Sequence, residues 1–377
     1  MPLNCGIVGL PNVGKSTIFS ALCSTPAEAA NYPFSTIVPN IGIVDVPDQR
    51  LTKLSEIFKP KRTTPATVEF VDISGLKKGS SKGEGLGNQF LSHIRQVGVI
   101  AHIVRCFDNP DVVHVSEQID PESDIETINI ELALSDIETL AKRRERAEKA
   151  LKVQSKTEQK AAESVLAILD KIGPLLENGR LIRSAGLSDD ENALIYDCHF
   201  ITSKPLLYVC NVDDEGMKAI QEGKSHKASV YVETVRKQAK AEASMVVIIN
   251  GKIEAELGAI EDPEERQAFL EELCIKETGL SSLINSAYSL LGLRTFFTTG
   301  EDECRAWTIH AGDPAPKAAR AIHTDFEKGF IKADVYTFED ILKYGSEAKI
   351  KEAGKYRIEG KEYIVQDGDV IFFKFNV

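Results

Sequence analysis

Eight residues near the amino end, Gly9-Leu10-Pro11-Asn12-Val13-Gly14-Lys15-Ser16, match the pattern G-x-x-x-x-G-K-[ST]. The spacing suits a triphosphate. Glycines let consecutive backbone N–H groups converge on phosphate oxygens without Cβ clashes. A helix that starts where the loop ends presents its positive terminus to the same anion. Lys15 would reach the β and γ phosphates, and the Ser16 hydroxyl would bind Mg²⁺, with Val13, Gly14 and Thr17 completing the cradle. An apolar run precedes the loop and a helical run, Ser16–Cys23, follows it. That is the context the motif requires.

Three further elements follow in order. Val68-Glu69-Phe70-Val71-Asp72 is an apolar strand ending in D-x-x-G, from Asp72 to Gly75. The Asp72 carboxylate could hold the water shell of Mg²⁺, and the Gly75 N–H could reach the γ-phosphate. From Gly75 to Gly87 there are five glycines with Lys77, Lys78 and Lys82, a loop of the kind that phosphate contacts order. Asn31-Tyr-Pro-Phe-Ser-Thr36-Ile-Val-Pro-Asn40 offers Thr36 as a second Mg²⁺ ligand, although a threonine before an apolar strand also has a purely structural reading. Leu206–Asn211 runs into Val212-Asp213-Asp214. G-proteins end this strand in N-K-x-D. There the Asn ties the base loop to the phosphate loop, the Lys stem lies on the base, and the Asp accepts two guanine N–H bonds. Here Asn211 and Asp214 are present and Val212 replaces the lysine. At the end of the next strand, Asn250-Gly251-Lys252 stands where many relatives of such proteins carry Ser-Ala-Lys.

These residues need a scaffold. Continuous Val/Ile/Leu runs predict buried strands at Leu3–Gly9, Ile41–Val46, Val68–Asp72, Val99–Phe107, Leu206–Asn211 and Met245–Asn250. Helices between them indicate a mainly parallel, doubly wound α/β sheet, which binds ligands at the carboxyl ends of its strands. Between about Pro110 and Phe200 the pattern changes to helical periodicity, through Leu134, Ile137, Leu140 and Ala141 and then Val165, Leu166, Leu169 and Ile172. Two long helices folded as a hairpin are expected, reversing near Ser155–Thr157 and ending at Gly173-Pro174. Residues Lys142 to Arg183 hold eleven basic and six acidic side chains, a net of +5. That charge fits either a solvated face or an arm for a polyanion such as RNA. After a last helix to about Leu291, a small α+β module follows. Its expected strands are Trp307–His310, Tyr363–Val365 and Val370–Phe375, its turns fall at Gly312, Gly360 and Gly368, and its helical pieces are Asp325–Phe330 and Thr337–Tyr344. The expected division is a nucleotide-binding domain of residues 1–110 and 200–292, a helical insertion of 111–199 and a C-terminal domain of 293–377.

Taken together, Gly6-Ile-Val-Gly-Leu-Pro-Asn-Val-Gly-Lys-Ser-Thr17, Asn31-Tyr-Pro-Phe-Ser-Thr-Ile-Val-Pro-Asn40, Asp72-Ile-Ser-Gly-Leu76 and Cys106-Phe-Asp-Asn-Pro-Asp-Val-Val-His114 resemble the Obg-related translation-factor GTPases. They more closely resemble the YchF / Obg-like ATPase family. The resemblance spans the chain. It implies a P-loop NTPase domain, an inserted helical hairpin (coiled coil) and a C-terminal TGS domain of ubiquitin-like shape. It also implies a preference for ATP, usually with N-x-x-E as the base motif. Asp214 stands where that glutamate is usual, and the missing lysine departs from the GTP pattern, so GTP stays open as the alternative. Leu76 occupies the place of a water-orienting glutamine and cannot polarise water. The resemblance implies His114 as a hydrolytic residue and Asn12 as a holder of K⁺, a cation that could stabilise transition-state charge.

The reading is therefore a cytoplasmic, Mg²⁺-dependent ATPase of slow intrinsic turnover. It would act as a nucleotide switch on the ribosome (the large subunit or the assembled particle), with rRNA or tRNA contacts through the hairpin and the TGS domain. A GTPase with the same partners and a nucleotide-gated binding protein with incidental hydrolysis are the alternatives. The 377 residues suggest two or three domains. Forty-five Lys and Arg against 57 Asp and Glu give −12, which argues against a nonspecific nucleic-acid coat or a DNA binder. The seven scattered cysteines form no C-x-x-C pair and read as buried thiols. No secretory signal is evident, and no apolar run reaches the ~18 residues of a membrane helix.

Overall fold

Twelve strands form among the described residues of the computed structural model, which describes 3–24, 40–73, 86–109, 119–153, 155–273, 275 and 277–376. In chain order they are β1 (Asn4–Val8), β2 (Asn40–Asp45), β3 (Arg62–Thr64), β4 (Thr67–Asp72), β5 (Val99–Arg105), β6 (Leu206–Asn211), β7 (Met245–Ile249), β8 (Leu293–Thr298), β9 (Glu303–His310), β10 (Phe330–Thr337), β11 (Arg357–Glu359) and β12 (Asp369–Phe375). They make two six-stranded sheets. The chain divides into two compact units, one of residues 1–42 with 69–283 and one of 43–68 with 284–377. Residues 43–68, expected within the nucleotide-binding part, thus group with the C-terminal unit. The reason is β3, which pairs in parallel with β9, Arg62 opposite Glu303 and Thr64 opposite Arg305. A three-residue strand of polar residues gives no such signal in sequence.

The first sheet runs β2-β4-β1-β5-β6-β7. The pairs β1/β4, β1/β5, β5/β6 and β6/β7 are parallel. Both β5 and β6 are buried along their whole length, which is why apolar residues dominate both runs. The strand order reverses at β1, since β4 and β5 lie on its two sides. Doubly wound sheets open a crevice at such a switch point, beyond the carboxyl ends of the strands. The loop after β1 starts there.

The insertion is a pair of helices, Pro121–Ala150 and Lys156–Glu177. Gln159 Nε2 closes the reversal by donating to Leu151 O at 3.2 Å and Val153 O at 2.9 Å. The second helix does not stop at Gly173-Pro174 but continues to Glu177. Ile172, Gly173 and Leu176 are buried, and this packing outweighs the backbone hydrogen bond that proline removes. The core of the hairpin holds Val165, Ile168, Leu169 and Ile172 with Ala133 and Ala147. Leu169→Ala should therefore destabilise the chain by about 2–5 kcal/mol, the range for emptying a leucine-sized core site. Chemical denaturation measures it, and a loss below about 1 kcal/mol would contradict this packing.

A buried polar network fastens the hairpin root to the sheet. Glu242 accepts from Asn129 Nδ2 at 3.1 Å and from Tyr208 Oη at 2.8 Å, with the Arg183 guanidinium 3.6 Å away. Arg183, counted in the basic arm, has a side chain only 7% exposed and turned to this network, so it adds little to a charged surface. Several other cations of the arm are paired, including Arg144 with Asp170 at 2.6 Å and Lys149 with Glu145 at 2.6 Å. Buried Asp136 accepts from Ile201 N, Thr202 N and Thr202 Oγ1 at 2.7–3.0 Å. Burial pushes its carboxyl up, against those bonds.

In the second unit the sheet order is β11-β10-β12-β8-β9-β3. It is mixed, with antiparallel β10/β11, β10/β12 and β8/β9 and parallel β12/β8 and β3/β9. Its core packs Phe296, Ile309, Val335, Ile371 and Phe373 against Ala315, Ala318 and Ala319 of a short helix, Ala315–Ala319. The expected strand at Tyr363–Val365 is not formed. That stretch makes a single bridge, Pro314 with Ile364, because Asp313, rather than a strand, accepts Val365 N at 3.1 Å. Five of the six described cysteines, Cys5, Cys106, Cys198, Cys210 and Cys304, are buried thiols, and Cys23 is exposed.

Candidate nucleotide site

The loop between β1 and the helix Lys15–Cys23 is shaped by two residues with positive φ, Asn12 at 63° and Gly14 at 91°. Gly14 is the N-cap of that helix, and no side chain caps the exposed N–H groups there. They remain directed at whatever lies before the helix. A Cβ on Gly14 would lie 2.2 Å from Asn211 Nδ2, so the position also has no room for a side chain.

Asn211 is buried at the end of β6. Its Nδ2 donates to Val13 O at 2.9 Å, and its Oδ1 accepts from Gly251 N at 3.0 Å. One side chain thus joins the loops that follow β1, β6 and β7. Asp213 also lines the cavity between these loops. It caps the helix Asp214–Gln221 by accepting from Gly216 N at 2.8 Å. Asp214 Oδ1 accepts from Asn250 Nδ2 at 2.8 Å, and Oδ2 accepts from Lys252 Nζ at 3.0 Å. Partial burial opposes ionisation of Asp214, but the bonds from Lys252 and Asn250 outweigh it and hold the carboxyl below the usual range. Where position 212 lacks a lysine, Asp214 is paired instead with Lys252, in the first turn of the helix Gly251–Ala259 that follows β7. Asn250 also caps the helix that follows, its Oδ1 accepting from Lys252 N and Ile253 N.

Around these loops lies a cavity of about 640 Å³, bounded by Asn12, Gly14, Lys15, Ser16 and Thr17 on one side and by Asn211, Val212, Asp214, Asn250 and Gly251 on another. Lys252, Phe107 and Asn109 also line it. The volume falls in the range of small-molecule sites. Lys15 Nζ forms an ion pair with Asp72 Oδ1, so the end of β4 meets the phosphate loop. Val13 is buried and contributes its carbonyl to Asn211. Thr36, Gly75, Leu76 and His114 lie outside the described residues. Phe107 and Lys252 were not named as site residues from sequence. An aromatic just past the carboxyl end of a buried strand, and a lysine following the Asn250-Gly251 turn, were the available signals.

Residues 4–143 match the family described as "50S ribosome-binding GTPase", and residues 293–376 match the YchF-GTPase C-terminal family, described as a protein of unknown function. Two proteins named "Ribosome-binding ATPase YchF", from Haemophilus influenzae and Bacillus subtilis, are each 51% identical over 377 residues, covering 100% of both chains. The solved structure of the Schizosaccharomyces pombe YchF GTPase superposes with a TM-score of 0.85 at 36% identity, covering 99% of this chain and 97% of that one. A GTP-binding protein from Pyrococcus horikoshii shares the fold, with a TM-score of 0.56 at 18% identity over 99% of this chain and 100% of that one. On similarity that runs from end to end, this chain belongs to the YchF family.

Proposed function

We propose that this chain is a ribosome-associated P-loop ATPase, hydrolysing ATP to ADP and phosphate as a nucleotide-dependent switch on the translation machinery. The observation that carries the reading is the cavity in which Gly14, Lys15, Ser16 and Thr17 meet Asn211, Asp214 and Gly251. The relatives' printed name supplies the ribosome and the ATPase activity. Lys15 and the N–H groups at the start of its helix hold the phosphates, and hydrolysis is in-line attack of water on the γ-phosphoryl, governed by position and charge. Ser16 and Asp72 offer a hydroxyl and a carboxylate, the hard oxygen donors that Mg²⁺ takes. Among the described residues no group of three or more His, Cys, Asp or Glu could hold a metal by itself, so the triphosphate would supply further ligands. Bound there, Mg²⁺ neutralises charge on the phosphoryl oxygens. Thr36, Gly75 and His114 keep their proposed roles in closing over and hydrolysing the γ-phosphate, and Asn12 its role toward K⁺.

The preference for ATP rests on the relatives' printed name, and Asp214, the residue type that G-proteins use for guanine, keeps GTP open. Guanine presents two N–H donors to a carboxylate, and the Asp214 oxygens, each accepting one bond from Asn250 or Lys252, retain lone pairs that could take them. GTP is the second reading, supported by the family descriptions. We read the C-terminal unit as a TGS-type module that, with the hairpin, contacts rRNA or tRNA in the cytoplasm. No helix among the described residues is long and apolar enough to cross a membrane. The test is calorimetric titration with ATP and GTP in Mg²⁺, in K⁺ and in Na⁺, followed by co-sedimentation with ribosomes across a salt series. ATP should bind more tightly than GTP, and ribosome binding should weaken steeply with salt. Tighter GTP overturns the base assignment, and salt-insensitive sedimentation overturns the RNA contacts.

A further inference from the structure

We propose that Arg105 is a positioning residue for the nucleobase end of the cavity, setting how firmly the base, rather than the triphosphate, is held. The proposal rests on the nucleotide reading above. Arg105 closes β5 directly opposite Asn211 on β6 and is 1% exposed. It is not a cavity-lining residue, yet it holds two that are. Its Nε donates to Phe107 O at 3.2 Å and its Nη2 to Asn109 O at 3.2 Å. The same guanidinium lies 4.6 Å from the centroid of the Phe107 ring. Phe107 and Asn109 form part of the cavity wall.

The wall belongs to the base end by its neighbours. Cys106 N donates to Asn211 O at 2.8 Å, and Asp108 pairs with Lys227 at 2.7 Å, at the start of the helix Lys227–Ala241. These contacts bracket the Asn211–Asp214 loop. Burial lowers the Arg105 pKa, and the carboxylates of Asp108 and Asp124 oppose that. The charge is kept for a geometric purpose. A planar guanidinium can bond two carbonyls and stack on a ring at once, which an ammonium cannot. An aromatic ring backed by a cation is a rigid stacking platform for a planar base. A polyphosphate has no such face and engages only the helix terminus and Lys15.

The experiment titrates the folded full chain with MgATP and, separately, with Mg-tripolyphosphate, which lacks the base. Arg105→Leu should weaken MgATP about tenfold or more, the scale of a lost base–aromatic stack, and leave tripolyphosphate within about twofold. Arg105→Lys should fall between Arg105→Leu and the parent. Phe107→Ala, at a half-buried position, should reproduce the base-selective loss, and it keeps the proposal testable if Arg105→Leu does not fold. Equal losses for both ligands, or unchanged MgATP affinity in Phe107→Ala and Arg105→Lys, would overturn it. A parent chain that binds neither ligand would instead overturn the nucleotide reading on which it stands.

Discussion

Gly14→Ala should reduce MgATP affinity by at least about 100-fold, which corresponds to roughly 3 kcal/mol. Two costs combine. Gly14 has φ 91° and ψ 14°, a region where a residue with a Cβ is strained by about 1–2 kcal/mol. The new methyl would also lie 2.2 Å from Asn211 Nδ2. Asn211 is buried, and moving it breaks its bonds to Val13 O and Gly251 N. Each buried group left unpaired costs about 1–3 kcal/mol. The phosphate loop and the base loop would then lose their shared brace in one step. The same substitution in an Asn211→Ala background should cost less than it does alone, because the side chain it strikes is gone. Calorimetry on protein shown to be folded by circular dichroism measures both. An affinity within threefold of the parent's would refute this account of the loop.

Asp72→Asn should raise the Mg²⁺ concentration needed for half-maximal ATP hydrolysis by about 10–100-fold, the usual effect of removing a group that orients a metal's shell. The replacement has the same shape and keeps hydrogen-bonding atoms but loses the charge. Asp72 is 8% exposed at the end of β4 and reaches Lys15 in an ion pair. Low dielectric there makes the charge count for more than it would at the surface. Nucleotide affinity measured in EDTA should change far less than affinity in Mg²⁺, since only the metal-linked part is removed. A Mg²⁺ dependence that matches the parent's would take Asp72 out of the metal's surroundings.

Several parts of the fold were readable because their cause is local. Leu206–Asn211 is the strand with the same bounds in sequence and in structure, since both its faces are covered and every residue is apolar or ends the run. The hairpin helices follow from period 3.6 without interruption. β10 was not foreseen. Lys332 and Asp334 break the apolar run, and only the pairing of Asp334 with Phe372 on one side and Ile358 on the other makes the stretch a strand. Pro174 misled for a similar reason, because proline marks a helix end locally while burial against the partner helix carries the helix on to Glu177.

Phe107 and Arg105 show the same divide at the site. The sequence places an aromatic after a buried strand, but nothing in spacing says that it walls a cavity or that an arginine two residues earlier holds it there. Lys252 is a further example, since its bond to Asp214 spans 38 positions.

From its sequence alone the chain determined that a triphosphate loop opens the fold, that an acidic residue and an asparagine follow on later strands, and that a helical pair interrupts the sheet. These properties reside in contiguous residues, whose backbone preferences and apolar periods act over a few positions. Tertiary structure decided which distant residues meet. Asn211 reaches Val13 across 198 positions and Lys15 reaches Asp72 across 57, and residues 43–68 join the C-terminal unit. Such contacts depend on strand order and register, which are settled by the packing of the whole sheet and by no segment of it.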